Sequence, residues 1–167
     1  MRYALAAILL TLAFQPALPA QADDCDTALA ARIKGIHTAQ HSEFHLVIGG
    51  NVDMGSSDIR VDGQHYSKRI GAFPSAGWEI KPWDQAQEEA NYRKGFALET
   101  RTCRIEGSDI MGGETADIFL IEGGATTLRL WVGRTSGRPY KEEVQLTKGD
   151  TAATVWGYDG VKAPDTK

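Results

Sequence analysis

Alternating apolar and polar residues between positions 126 and 144 predict a β-hairpin. Leu128, Leu130 and Val132 recur at every second position, which is the period of a strand with one buried face. Turn-forming residues at 135–137 then separate this strand from a returning one. The hairpin is the clearest secondary-structure signal in the chain.

The same alternation recurs along the chain and predicts an antiparallel meander. Turn-forming pairs such as Asp62-Gly63 separate the strand-like segments. The polar residues 53–58 are predicted to form a loop, and Gly107-Ser108 a turn. The predicted strands lie at 43–48, 59–61, 64–70, 97–106, 115–122, 126–132, 140–146 and 152–158. Short strands at this spacing form a barrel or a strongly curved open sheet.

One amphipathic helix is predicted ahead of the strands. Leu29, Ile33 and Ile36 fall on one face of a helix spanning 27–36, as in a helix laid against a sheet. A second, polar helix is predicted within 84–93. The predicted fold class is therefore α+β and dominated by β: a single curved antiparallel sheet or incomplete barrel with an N-terminal helix packed on it.

The first residues have the pattern of a secretory signal peptide. One positive charge at Arg2 precedes a short apolar run, and Ala20-Gln21-Ala22 has the small-x-small form of a cleavage site. The apolar run is shorter than the roughly 20 residues of a bilayer-spanning helix, so no stable membrane insertion is predicted. We predict a cleaved signal peptide at 1–22 and a single β-rich domain at 23–167, exported to the periplasm.

Two cysteines, Cys25 and Cys103, remain after the predicted cleavage. In an exported chain, a pair of this kind is most simply a disulfide. Because the loop that it closes is long, the disulfide would contribute about 4 kcal/mol to stability in the chain-entropy model. No Cys-x-x-Cys pattern indicates a redox site instead.

Composition and motifs exclude several classes of function. The formal net charge is −4, and it becomes −5 when Arg2 is removed with the signal. Nucleic-acid partners require clustered Lys and Arg, which the sequence lacks, so none is predicted. Gly-x-Ser-x-Gly, His-Glu-x-x-His and phosphate-binding glycine loops are also missing from the sequence. We therefore predict neither an enzyme nor a cofactor.

Three histidines, His37, His41 and His45, recur at intervals of four. On one continuous helix they would line a single side, as metal ligands can. The strand-like residues from position 43 interrupt such a helix, so we interpret the spacing as accidental and predict no metal site. Whether His37 and His41 bind metal is left to a metal titration.

Several segments resemble the periplasmic lipoprotein-localisation carrier (LolA-like) superfamily. The segments that carry the resemblance are Cys103-x3-Gly107, 112–119, Leu130-Trp131-Val132 with 135–139, 156–164, and 58–66. The resemblance implies an incomplete antiparallel barrel with an apolar concave side closed by helices, and a role in binding acyl chains or a lipid-modified partner. The chain differs from the better-known carriers in its shorter length, its cysteine pair, and the lack of an arginine on the first strand, which in the carriers helps to hold the lid.

Two hypotheses of function follow. The first is a periplasmic, non-enzymatic binding or carrier protein for a hydrophobic ligand such as a lipid or an acyl chain. The second is an envelope interaction or accessory protein with a packed β scaffold and no ligand cavity. The aromatic residues between 71 and 93 either cover a cavity as a flap or fill the core. For the strand at 126–132 there are also two alternatives: Trp131 faces the cavity and the leucines face a core under the helix, or the reverse. The candidate cavity lining is Phe44, Leu46, Ile48, Val61, Phe73, Trp78, Trp83 and Trp131.

Overall fold

Nine strands and two helices make up the part of the chain that the computed structural model describes, residues 21–50, 52–97, 100–123, 126–146 and 149–166. Positions 1–20 of the predicted signal peptide lie outside the described residues. The elements in chain order are α1 (Gln21–Ile36), β1 (Gln40–Ile48), β2 (Val52–Val61), β3 (Gln64–Gly71), β4 (Glu79–Pro82), α2 (Gln85–Ala97), β5 (Thr102–Met111), β6 (Glu114–Gly123), β7 (Thr126–Gly133), β8 (Pro139–Gln145) and β9 (Thr151–Gly157).

The strands form one antiparallel sheet in the order β4-β3-β2-β1-β9-β8-β7-β6-β5. Strand β1 pairs with both β2 and β9, which brings the first and last strands together in the middle of the sheet. Strands β4 and β5 are its two edges, so the sheet is curved but not closed into a barrel. The predicted fold class is confirmed as an open sheet with the N-terminal helix packed on it.

Helix α1 packs on one face of this sheet, which we call the helix face; the opposite side is the outer face. The small residues Ala28 and Ala31 let α1 approach the strands closely. The predicted disulfide is confirmed, because Cys25 of α1 is bonded to Cys103 of β5 with their Cα atoms 5.1 Å apart. The buried core beneath α1 is Ala28, Ala31, Cys103, Phe119, Ile121, Leu130, Val132 and Trp156.

The predicted hairpin is confirmed as β7 and β8. Leu130 and Val132 belong to the core on the helix face. Trp131 alternates with them and faces the outer side, where it is 7% exposed and has Lys141 Nζ 4.7 Å from its ring centroid. The aliphatic residues of β7 are therefore the set that packs beneath the helix.

Three local predictions are wrong. The strand predicted at 97–106 lies instead at Thr102–Met111, and Ala97 belongs to α2. Residues 53–58 are not a loop but belong to β2, which pairs with both β1 and β3. Its polar residues suit a strand here because their side chains bond one another and β3. Gly107-Ser108 is not a turn but lies within β5, directly after a β-bulge. Within the described part of the chain, no helix has the length and apolar character to cross a membrane.

Candidate functional site

Six apolar side chains form one continuous row across the helix face. Each lies opposite the next on the neighbouring strand, from β6 through β7, β8, β9 and β1 to β2. Five strand spacings of about 4.8 Å give the row a length of about 24 Å. We call this set the apolar row: Ile121, Leu128, Val144, Ala152, Leu46 and Met54.

Most of the apolar row is only partly covered. Ile121 at one end is buried in the core, whereas the other members are partly exposed. Beyond Leu46 on the same face of β1, Ile48 extends the apolar surface and is 41% exposed. Single exposed apolar residues are ordinary on protein surfaces, but a contiguous apolar surface is a feature of binding sites. The row is therefore a candidate ligand-binding surface.

Helix α2 covers the β6 end of the apolar row and leaves a cavity there. The cavity has a volume of about 280 Å³, and its lining includes Tyr92 and Phe96 of α2 together with Ile121 and Leu128 of the row. Small-molecule sites range from about 300 to 1,000 Å³. The cavity alone is thus small for such a site, but it continues the exposed surface of the row.

Helix α2 is held by polar contacts and by two partly buried rings, Phe96 against the core and Tyr92 against Arg32. None of its described residues is buried. Glu88 Oε1 lies 3.4 Å from Arg60 Nη2, and Trp83 Nε1 donates a hydrogen bond of 3.0 Å to Glu88. Glu89 Oε2 lies 2.6 Å from Nε2 of His37, just after α1. Because α2 buries so little apolar surface, it can separate from the sheet at a lower cost than α1.

A second, polar cavity lies between α1 and strands β1, β2 and β9. It has a volume of about 170 Å³, and its lining includes Arg32, Gln40, Ser42, Asp58 and Arg60. Gln40 and Ser42 are buried. Polar groups are costly to bury without partners, so this cavity suits water or the polar part of a ligand.

Arg32 lines the polar cavity and contacts Tyr92 and Glu142, which line the apolar one. Its guanidinium carbon lies 4.9 Å from the ring centroid of Tyr92 and 4.5 Å from that of Trp156. Its Nε lies 3.2 Å from Glu142 Oε2, close enough for an ion pair but without hydrogen-bond alignment. Burial lowers the pKa of Arg32, but the charge of Glu142 and the contact with Tyr92 outweigh burial and raise it above the ordinary value. This ion pair separates the apolar row from the polar cavity.

Asp58 organises the polar side chains of β2 and β3. It accepts a hydrogen bond of 2.5 Å from Ser56 and lies 2.7 Å from His65 Nε2. Burial raises the pKa of Asp58, but hydrogen bonds from His65, Ser56 and Ser67 outweigh burial and hold the pKa below its usual value. The carboxylate stands between serine and histidine, so this is not the order of a hydrolytic triad, in which histidine contacts the serine. The cluster joins two strands.

The structure brings only some of the predicted lining residues together. Phe44, Leu46 and Ile48 share the helix face of β1, where Leu46 belongs to the apolar row and Phe44 lines the polar cavity. Val61 and Trp131 are buried and lie on the outer face, by alternation with Arg60 and Leu130.

The three remaining predicted residues lie between β3 and α2. Phe73 is 66% exposed in the segment between β3 and β4, where Trp78 is partly exposed. Trp83 borders a third cavity, next to α2. None of the three lines the two cavities described above.

Sequence reasoning missed most of the apolar row. The alternation at 126–132 identifies Leu128 as an apolar strand residue, but it does not determine which face of the sheet Leu128 lies on. Val144, Ala152 and Met54 carry no distinctive local signal, because the row is created by the register between strands. The strand period of each segment indicates its apolar face. Only together with the pairing order, in which β1 lies beside β9, would it have indicated the row.

The three predicted histidines do not share one side of a helix. His37 contacts Glu89, whereas His41 and His45 lie on β1, with Glu43 between them. Among the described residues, no group of three or more His, Cys, Asp or Glu side chains is arranged to hold a metal ion.

Comparison with known proteins gives a likeness of fold. No protein-family model matches the chain, and no curated protein sequence matches it. A crystal structure of MucB superposes with a TM-score of 0.51 at 12% identity, covering 86% of this chain and 60% of that one. A structure of MucB in complex with MucA(peri) gives a TM-score of 0.49 at 15% identity, covering 86% and 58%. The chain thus spans about three fifths of the MucB chains that it matches.

A LolA superfamily protein from Nitrosomonas europaea is also among the matched structures. It covers 90% of this chain and 96% of its own, with a TM-score of 0.32 at 10% identity. At these identities the likeness is one of fold alone, and it rests on the superposition with MucB, whose TM-score is above 0.5.

Proposed function

We propose that the protein is an exported, non-enzymatic binding protein for an elongated hydrophobic ligand, such as an acyl chain, that lies along the apolar row. The observation that carries the proposal is the row itself, a line of apolar side chains across six strands that is left partly exposed on the helix face. Export is inferred from the signal-peptide pattern at 1–22.

The length and chemistry of the row suit an extended aliphatic chain. Each methylene that moves from water to an apolar surface contributes about 0.8 kcal/mol. A chain lying on Leu46, Ala152, Val144 and Leu128 would end in the cavity beside Phe96. The polar cavity behind Arg32 and Glu142 would stay outside the path of the chain.

Helix α2 acts in this proposal as a cover over one end of the site. The cavity of about 280 Å³ is too small for a long ligand to enter as a whole. Since α2 has no buried residue, it can move outward when the ligand enters. Binding would replace part of the contact between Phe96 and the core with contact between Phe96 and the ligand.

The alternative is an interaction or accessory protein that uses the sheet as a packed scaffold. The packed half of the helix face favours this alternative. Beneath α1, Phe119, Leu130 and Val132 are buried, and a disulfide fixes the helix. This half has no room for a ligand. The two functions differ in what they predict for the apolar row, which only the first one fills.

A fluorescent fatty-acid probe distinguishes the two functions. We expect 11-(dansylamino)undecanoic acid to increase its emission when it binds the disulfide-intact protein without its signal peptide. Val144→Asp places a charge in the middle of the row at a partly exposed position, and should weaken probe binding about tenfold or more.

Val155→Asp is the matched control. Val155 lies on β9, beside β8, is 44% exposed and faces the outer side, so its substitution should leave probe binding unchanged. A wild-type protein that fails to bind the probe would contradict the proposal and favour the accessory function. If both variants lost the same amount of affinity for the probe, the probe would bind away from the row.

A further inference from the structure

The two edges of the sheet are protected to different degrees. Edge strand β4 has four residues and ends in Lys81 and Pro82, and short length, lysine and proline all hinder pairing with another chain. Edge strand β5 has ten residues and contains neither lysine nor proline. Residues 104–110 are all exposed. Strand β5 therefore offers a longer and less guarded edge for pairing.

The side chains of β5 carry both signs of charge on the outer face. Arg104 forms an ion pair with Glu122 of β6, and Glu106 forms one with Arg129 of β7. Between them, Ile105 lies opposite Phe119 on the helix face and is 48% exposed. Edge charges of a single sign would repel a second copy, whereas a positive and a negative residue two positions apart can complement one.

A β-bulge accompanies this charge pattern. The register runs from Ile105 opposite Phe119 directly to Gly107 opposite Ile118, so Glu106 has no residue opposite it on β6. Bulges are one way in which edges resist pairing. Here the bulge shifts the register only after Ile105, and Glu106 stays on the outer face with Arg104, where it pairs with Arg129.

We propose that two copies of the chain pair antiparallel through β5, about a two-fold axis at Ile105. In this register Arg104 lies opposite the partner's Glu106, and Glu106 lies opposite the partner's Arg104. Together with Glu122 and the partner's Arg129, the charges alternate in sign across the interface. The exposed surfaces of the two Ile105 side chains meet on the helix face. This interface does not involve the apolar row, so it is independent of the proposed ligand.

Charge exchange tests the proposal. Sedimentation velocity of the disulfide-intact protein, from low to high micromolar concentration, should show a monomer–dimer equilibrium. Arg104→Glu alone and Glu106→Arg alone each place like charges opposite one another twice, and each should raise the dimer dissociation constant about tenfold or more. An equimolar mixture of the two variants restores opposite charges at both pairs, and should form a heterodimer with close to wild-type affinity.

Arg93→Glu on α2 is the control, because it also reverses one exposed, ion-paired arginine but lies away from β5. It should leave the dimer unchanged, and thermal unfolding should show that all variants are folded. The proposal is overturned by a wild-type protein that stays monomeric at every concentration. It is equally overturned by single variants that dimerise normally, or by a mixture that associates no better than its components.

Discussion

Glu114 fastens the turn between β7 and β8. Its Oε2 accepts hydrogen bonds from the backbone N–H groups of Thr135 at 2.7 Å and Ser136 at 3.0 Å, and its Oε1 accepts one of 2.7 Å from the Tyr140 hydroxyl. Hydrogen bonding by the Ser136 side chain, then by Tyr140 and the two backbone amides, outweighs burial and lowers the pKa of Glu114 from 4.5 to about 2. A single ionised carboxylate thus holds the turn of the predicted hairpin.

This carboxylate should make the stability of the protein depend on acid pH. Because the folded-state pKa is lowered, its contribution is fully present above about pH 4.5 and is lost as the pH falls toward 2. Glu114→Gln keeps the shape but removes the charge, and should cost about 1 kcal/mol at pH 7 after allowance for solvent screening. Thermal unfolding should show a gap between wild type and variant that narrows below pH 4.5. A gap that is constant from pH 7 to pH 2.5 would contradict this role.

The two helices are attached to the sheet in different ways. Helix α1 has Ala28 and Ala31 in the core and is joined to β5 by the disulfide. Helix α2 has no fully buried residue: Phe96 packs against the edge of the core, and surface contacts such as that between His37 and Glu89 complete its attachment. Local stability follows buried apolar contact and fixed attachment. The first helix is therefore part of the core, and the second is the less firmly attached helix that we propose as a cover.

Hydrogen–deuterium exchange should separate the two helices. We expect the backbone amides of α2 to exchange well before those of α1, because opening α2 exposes little apolar surface. A saturating fatty-acid probe should slow exchange in α2 and leave α1 unchanged. Equal protection of the two helices in the free protein would show that α2 is not a cover.

The elements also show how far the sequence determines the fold. The hairpin at 126–144 was predictable because its apolar positions have a clean period of two and its turn is marked by Ser136 and Gly137. Strand β2 was missed because its polar residues, including Ser56 and Asp58, look like a loop until their hydrogen bonds to one another and to β3 are known. Local pattern identifies a strand with one apolar face, but it does not identify one whose polar groups are bonded across the sheet.

At the scale of the whole molecule, the sheet carries two kinds of surface on its helix face. The part beneath α1 is a closed core, apart from the polar cavity beside Arg32. Beside it, the apolar row runs across six strands and stays partly exposed. Leu46 and Ile48 could be proposed from the sequence as part of one apolar strand face, but Val144 and Ala152 join them only through strand register. The candidate site is thus a property of the assembled sheet.

The most direct test of the account is to observe a ligand on the apolar row. Methyl NMR spectra of protein labelled at Ile, Leu and Val should be recorded during a titration with dodecanol, a neutral apolar chain. We expect shifts for the methyl groups of Leu46, Leu128 and Val144, while those of Leu120 and Val155 on the outer face stay unchanged. Shifts confined to the outer face, or no shifts at saturating dodecanol, would contradict it.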